Sequence, residues 1–210
     1  MRRVSALFSS VLLLAPLAIA GDGRMTDSER AYLIEQLEQT KTNMLASIAG
    51  LTPAQWRFKA GPDRWSVAEC AQHIILAEDF IFAGSQQVLK NPAVPRPEKS
   101  NPAMDKGLVA GLADRSKKFT APEPLVPAKP FDTPEEAARA FTEKRDRNIA
   151  YVKSTGDELR VHVGESPAGP LDAYQFLLLL AGHSGRHTAQ IREVETDPNF
   201  PKASALARPN

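Results

Sequence analysis

The chain has 210 residues, 42% hydrophobic and 24% charged, with a mean hydropathy of −0.30, which excludes the disordered, collagen-like and multi-span membrane classes. Lys and Arg total 26 against 25 acidic residues, so no bulk charge draws the protein to nucleic acid or to an anionic membrane. The single cysteine, Cys70, excludes an intramolecular disulfide framework and a Cys-rich metal knuckle.

Arg2 and Arg3 precede an uncharged run from Val4 to Ala20 that ends in Ala18-Ile19-Ala20 before Gly21. A basic start, an apolar stretch and a small-x-small site make a secretory leader. Ser9, Ser10 and Pro16 interrupt the run, which is shorter than the roughly 20 residues of a bilayer span, so no stable membrane anchor is expected. Residues 1–20 therefore read as a signal peptide. Cleavage near Ala20 would send residues 21–210, with 24 basic against 25 acidic residues, to the periplasm or the medium as one domain. Translation from Met25 is the alternative and leaves a cytosolic protein.

Downstream the pattern is helical. Thr26-Asp27-Ser28-Glu29 is a capping box, and Leu33, Leu37, Met44 and Ile48 follow at helical spacing, predicting helix one over 26–49. Gly50 to Pro53 stops it. Ser66 to Glu69 is a second capping box and opens helix two, which runs to about Lys90 with Val67, Ala71, Ile74 and Ile81 inward. Nine of the 17 prolines lie between Pro92 and Pro134, a density that forbids continuous helix outside a window from about Asp105 to Phe119. Thr133 to Glu136 reads as a third capping box with proline at the first helical position. It opens helix three, with Ala138, Phe141, Ile149 and Val152 on its apolar face, ending near Gly156. Arg160 to Val163 has an extended pattern, and a fourth helix covers about Leu171 to Glu195. The fold class is all-α: a four-helix bundle with a long proline-rich crossover between the second and third long helices.

The chemistry lies in the fourth helix. His183 and His187 are four apart, hence one turn apart on one face, and they interrupt an apolar stripe of Phe176, Leu180, Ile191 and Val194. Burying two unpartnered imidazoles costs about 1–3 kcal/mol each, and a shared divalent cation removes much of that. Taken alone, the pair reads more readily as ordinary histidines bonded to carbonyls or water, since this spacing is common. His73, at the edge of the apolar face of helix two beside Cys70 and Ala77, adds a third imidazole. Three imidazoles form the open set used where an ion keeps a position for water or substrate. The ion is zinc or nickel first, with iron or manganese also suited to imidazole. His162, in the link near Gly164, reads as a surface residue.

Leu51-Thr52-Pro53 through Trp56, Arg64-Trp65-Ser66-Val67-Ala68-Glu69 and then His73 resemble the second-helix signature of the DinB-like (DinB/bacillithiol-transferase-like) superfamily. The run Gly182-His183-Ser184-Gly185-Arg186-His187 with Gln190 and Ile191 resembles its fourth-helix signature. The resemblance implies a four-helix bundle over residues 21–210, often dimeric, holding one divalent metal on His73, His183 and His187 at the floor of a cleft. Known relatives include thiol-cofactor S-transferases and a mycothiol-dependent maleylpyruvate isomerase. Small-thiol transfer belongs to the cytosol, so in an exported chain a metal-bound water poised for hydrolysis or isomerisation fits better; the expectation is a metal-dependent hydrolase or transferase acting on a small molecule. A non-catalytic bundle tied together by its ion is the alternative.

The surrounding residues carry specific expectations. Gln190, one turn past His187, is placed to orient an imidazole or to sit at the bundle edge. Arg186 points off the histidine face, toward a carboxylate on another helix or an anionic substrate. Glu69 stands four before His73, as a general base or simply as the capping partner of Ser66. Glu78 is a poorer candidate base. Cys70 reads as a buried apolar thiol, and Trp56 and Trp65 as core and entry anchors or as an aromatic cleft wall.

Overall fold

The computed structural model describes residues 23–202; the leader reading falls outside them. In chain order the elements are α1 (Asp27–Ile48), α2 (Pro53–Arg57), α3 (Val67–Val88), α4 (Pro102–Ala113), a 3-10 turn (Glu123–Leu125), α5 (Pro134–Ser154), β1 (Val163–Gly164), β2 (Leu171–Asp172) and α6 (Ala173–Glu195). The four long helices α1, α3, α5 and α6 form the bundle. Around it α1 packs on α6, α6 on α3, α3 on α5 and α5 back on α1, while α4 lies against α6. No helix among the described residues is long and apolar enough to cross a membrane.

Local capping chemistry sets the boundaries. Thr26, Thr52, Ser66 and Asp172 each accept from the N3 backbone amide while the N3 Glu or Gln side chain accepts from the cap amide, each cap contributing about 1 kcal/mol. At α5 only half of the expected box forms. Thr133 accepts from the Glu136 amide, without the return bond. The Gly50 to Pro53 stop is also a start, because Thr52 and Gln55 cap the short α2 that follows. Gly50, with φ of 69°, takes the left-handed turn between the two. The crossover helix begins at Pro102 rather than Asp105 and ends at Ala113 rather than Phe119. Asn101 caps it through the Ala103 and Met104 amides, and proline suits its first turn. The extended pattern at Arg160 to Val163 shortens to Val163–Gly164, paired antiparallel with Leu171–Asp172, so α6 begins at Ala173.

All four apolar residues of the α1 stripe are buried, as are Val67, Ala71 and Ile74 on α3 and Phe141, Ile149 and Val152 on α5; Ile81 and Ala138 are only partly buried. The core divides in two. One cluster holds Leu33, Leu37, Ile149, Val152, Tyr174, Phe176, Leu177, Leu178, Leu180 and Ala181; the other holds Met44, Ile48, Trp56, Val67, Ala68, Cys70, Ala71, Ile74, Ile75, Phe141, Ile191 and Val194. The level between them, on every bundle helix, is polar. Arg145 of α5 is fully buried and forks onto Glu78 of α3 at 2.9 and 2.6 Å, also donating to Thr40 Oγ1 of α1 at 2.7 Å and to the Leu180 carbonyl of α6 at 3.3 Å. Asn148 donates to Glu78 Oε2 at 3.0 Å. The helix-six residues between the two apolar clusters are 182–190, and they include His183 and His187.

A second buried ionic knot holds the ends of the chain path together. Arg160, fully buried, pairs with Glu29 at 2.7 Å, with Asp172 at 3.0 Å and with Asp105 of α4, and its guanidinium lies 3.7 Å from the Tyr174 ring centroid. Arg96 adds a second cation to Glu29. The knot ties the crossover to the first turns of α1 and α6.

Candidate metal centre

His73 sits on the inward side of α3, with His183 and His187 one turn apart on the facing side of α6. Together they bring one donor nitrogen each into a group whose atoms all lie within 4.8 Å of one another. The ring centroids are 4.3 to 4.7 Å apart. His73 is buried, while His183 and His187 are half-buried.

The outer nitrogens of two rings are committed. His73 Nδ1 lies 2.7 Å from the Leu125 carbonyl, and a carbonyl has no hydrogen to give, so Nδ1 donates and Nε2 carries the lone pair. His187 Nδ1 lies 2.8 Å from Gln190 Oε1. That oxygen also receives Arg115 Nη1–H at 3.4 Å, which identifies it as the acceptor and again puts the hydrogen on Nδ1. The two Nε2 atoms face each other at 3.1 Å, both as acceptors.

Burial favours the neutral form of all three imidazoles. The His73 pKa is lowered by burial against the opposing pull of the Leu125 bond. Burial, with the neighbouring His187 and His73, drives His183 well below the usual histidine value, and burial next to His73 takes His187 down to about 3. With neither ring protonated, the 3.1 Å approach is a lone-pair conflict. A divalent ion between the nitrogens resolves it: at about 2.0–2.1 Å from each nitrogen in a tetrahedral site, donors stand roughly 3.3 Å apart. The donor set therefore fits a metal.

The other candidates divide. Gln190 orients His187, one of the two roles open to it. Among the described residues Arg186 reaches no carboxylate. It is buried and donates to the carbonyls of Leu112 at 3.2 Å, Asp114 and Lys117, and stacks on Phe119 with its guanidinium 5.0 Å from the ring centroid; the crossover passes within reach and its unpaired carbonyls claim the guanidinium. Glu69 is the capping partner of Ser66 and pairs with Lys59 at 2.8 Å, and Glu78 is held by Arg145. Cys70 is fully buried in the core, which pushes its thiol up to about 12. Trp56 is core, donating to the Phe131 carbonyl at 2.9 Å. Trp65 is the aromatic wall, its ring centroid 4.8 Å from His73 and 6.2 Å from His187. His162 is not a plain surface residue: it is half-buried, with Nδ1 2.7 Å from the Asn91 carbonyl. The Leu125 carbonyl and Arg115 escaped sequence reasoning, since a backbone acceptor has no residue-type signal and Arg115 lies 75 residues from Gln190.

A sequence model of the DinB superfamily matches residues 36–191. The chain belongs to the DinB superfamily. Among solved structures it is similar to YfiT from Bacillus subtilis, titled "a probable metal-dependent hydrolase with an unusual four-helix bundle topology", with a TM-score of 0.53 and 15% sequence identity over 81% of this chain and 88% of that one. At that identity the likeness shows the bundle fold. No curated protein matches the chain.

Proposed function

We propose that this DinB-superfamily protein is an exported metal-dependent enzyme, a hydrolase or transferase acting on a small molecule, with His73, His183 and His187 holding one divalent ion. The observation that carries the reading is the pair of Nε2 lone pairs facing each other at 3.1 Å, with both outer nitrogens engaged. The description of YfiT as a metal-dependent hydrolase supports it. When bound, such an ion polarises a substrate oxygen and lowers the pKa of a water or thiol.

The chain's own residues supply the rest. The Leu125 carbonyl and Gln190 fix the tautomer and orientation of two rings, and Trp65 gives the site one apolar wall. The glutamates nearest in sequence to His73, Glu69 and Glu78, are held by Lys59 and Arg145, so neither serves as general base. Cys70 and Glu69, the two groups placed to close the ligand shell, are committed to the core and to the α3 cap. That favours an open fourth position, and with it catalysis over a purely structural ion. Zinc or nickel is the expected occupant, and export rests on the leader.

Cobalt-loaded protein tests the open position. Addition of azide or a small thiol is expected to shift the visible cobalt bands, and chelation to abolish turnover across a panel of esters, amides and thiol acceptors. Bands indifferent to every added ligand would contradict the enzyme reading and leave the ion structural. Mass spectrometry of the periplasmic form is expected to find an N-terminus at Gly21; a cytosolic product beginning at Met25 would refute export.

A further inference from the structure

Both of the outer-nitrogen bonds lead to the crossover. Leu125, whose carbonyl holds His73, belongs to the 3-10 turn. Gln190, which holds His187, shares its Oε1 with Arg115, just beyond α4. Arg115 is itself fixed in a fork on Glu193, at 2.6 and 2.8 Å. Between these two points Arg186 gathers the Leu112, Asp114 and Lys117 carbonyls. Helix α6 therefore presents the histidines to the bundle interior and, through Arg186, Gln190 and Glu193, grips the crossover.

Within α4 Asp105 is fully buried in the Arg160 knot, and Leu108 and Val109 pack partly buried against the core. From Asp114 to Pro124 no residue is fully buried and Phe119 is exposed, so docking of that stretch responds to its polar bonds. Partners on the outer nitrogens of ligating histidines fix ring orientation and basicity, and losing one weakens metal binding roughly 10–100-fold.

We propose that residues 102–125 are a positioning strap for the metal ligands, with Arg115 and Gln190 as positioning residues for His187 and the Leu125 carbonyl for His73. Docking of the strap and occupancy of the three-histidine site then reinforce one another, by the reciprocity that binds any two linked equilibria. The inference rests on the three-histidine metal reading and goes beyond it, because the ion alone requires no contact with the crossover.

The test uses zinc and the purified chain. Zinc affinity is measured by competition with a chelating dye, and amide hydrogen exchange over residues 102–125 is followed with and without zinc. Zinc is expected to slow exchange in the strap several-fold. Gln190→Leu is expected to weaken zinc binding roughly 10–100-fold and Gln190→Glu to restore it, since a carboxylate still accepts from Nδ1–H and pairs with Arg115. Arg115→Met, at a partly exposed position whose change spares the core, is expected to keep the fold by circular dichroism, weaken zinc binding several-fold and reduce the zinc-dependent protection. Wild-type protein that takes up no zinc overturns the metal reading itself. Tight zinc binding by wild type and all three variants, with exchange in the strap unmoved by zinc, overturns the strap alone.

Discussion

Replacing His187 by alanine separates the metal account from an account in which the histidines are ordinary core residues. His187 Nε2 faces His73 Nε2 at 3.1 Å, acceptor against acceptor, so with no ion bound His187→Ala removes a conflict as well as a side chain, and its stability in chelator should stay within about 1 kcal/mol of wild type. The difference appears on adding metal. An ion that binds only the folded state stabilises it by RT ln(1 + [L]/Kd), about 2.7 kcal/mol at 100 times Kd. A domain of this size, with 180 residues described, gains roughly 2–4 °C per kcal/mol. Wild type should therefore melt roughly 5–11 °C higher in excess zinc or nickel. His187→Ala keeps two ligands, and its shift should fall to near zero at the same metal concentration. Differential scanning fluorimetry in chelator and in metal reads both numbers. An equal metal-induced rise in wild type and variant would refute the reasoning, since the ion would then be stabilising the chain from elsewhere.

Other consequences are as direct. Burial pushes the Glu29 carboxyl up, but the Thr26 amide and the Arg160 and Arg96 guanidiniums outweigh it and bring it down to about 2. A carboxyl depressed in the fold stabilises it above the unfolded value near 4.5 and loses that contribution as pH falls from there toward 2, on the order of 3 kcal/mol in all; urea midpoints between pH 6 and pH 3 should fall less steeply in Glu29→Gln than in wild type. Arg145→Met strands the buried Glu78 carboxylate and should cost about 3–5 kcal/mol, much of it regained in Arg145→Met/Glu78→Leu, by denaturant unfolding. A methyl group at Gly182 would stand 2.6 Å from Leu112 Cδ1 and 3.1 Å from its Cβ, too deep for the tip of the side chain alone to yield. Gly182→Ala should therefore displace α4, cost about 1–3 kcal/mol and speed proteolysis within the crossover.

The sequence exposed those features that local chemistry determines. Three of the four two-sided caps have Ser or Thr followed three residues on by Glu or Gln, and the spacing of His183 and His187 places them together on any helix. The Trp-Ser entry and the HxxRHxxQ run carried the family and, with it, His73 as the third member of the histidine cluster. Pairings across the fold were hidden. Arg145 and Arg160 look like solvated charges on a periodic pattern, and only the packing of α3 against α5, and of the crossover against the first turns of α1 and α6, brings their carboxylates within reach. Arg186 illustrates the same limit: its spacing correctly turned it off the histidine face, but its partners are three carbonyls of a proline-interrupted segment, which residue types do not advertise. The short α2 was missed because Pro53 reads as a stop, although proline at the first helical position is also a start.

Elemental analysis tests the central claim most directly. The protein is purified without a histidine tag from its native compartment, beside a His73→Ala/His183→Ala double variant. The account predicts close to one divalent ion per chain in the wild type and none in the variant. Wild-type protein without metal, even after incubation with zinc, nickel, iron and manganese, would contradict it.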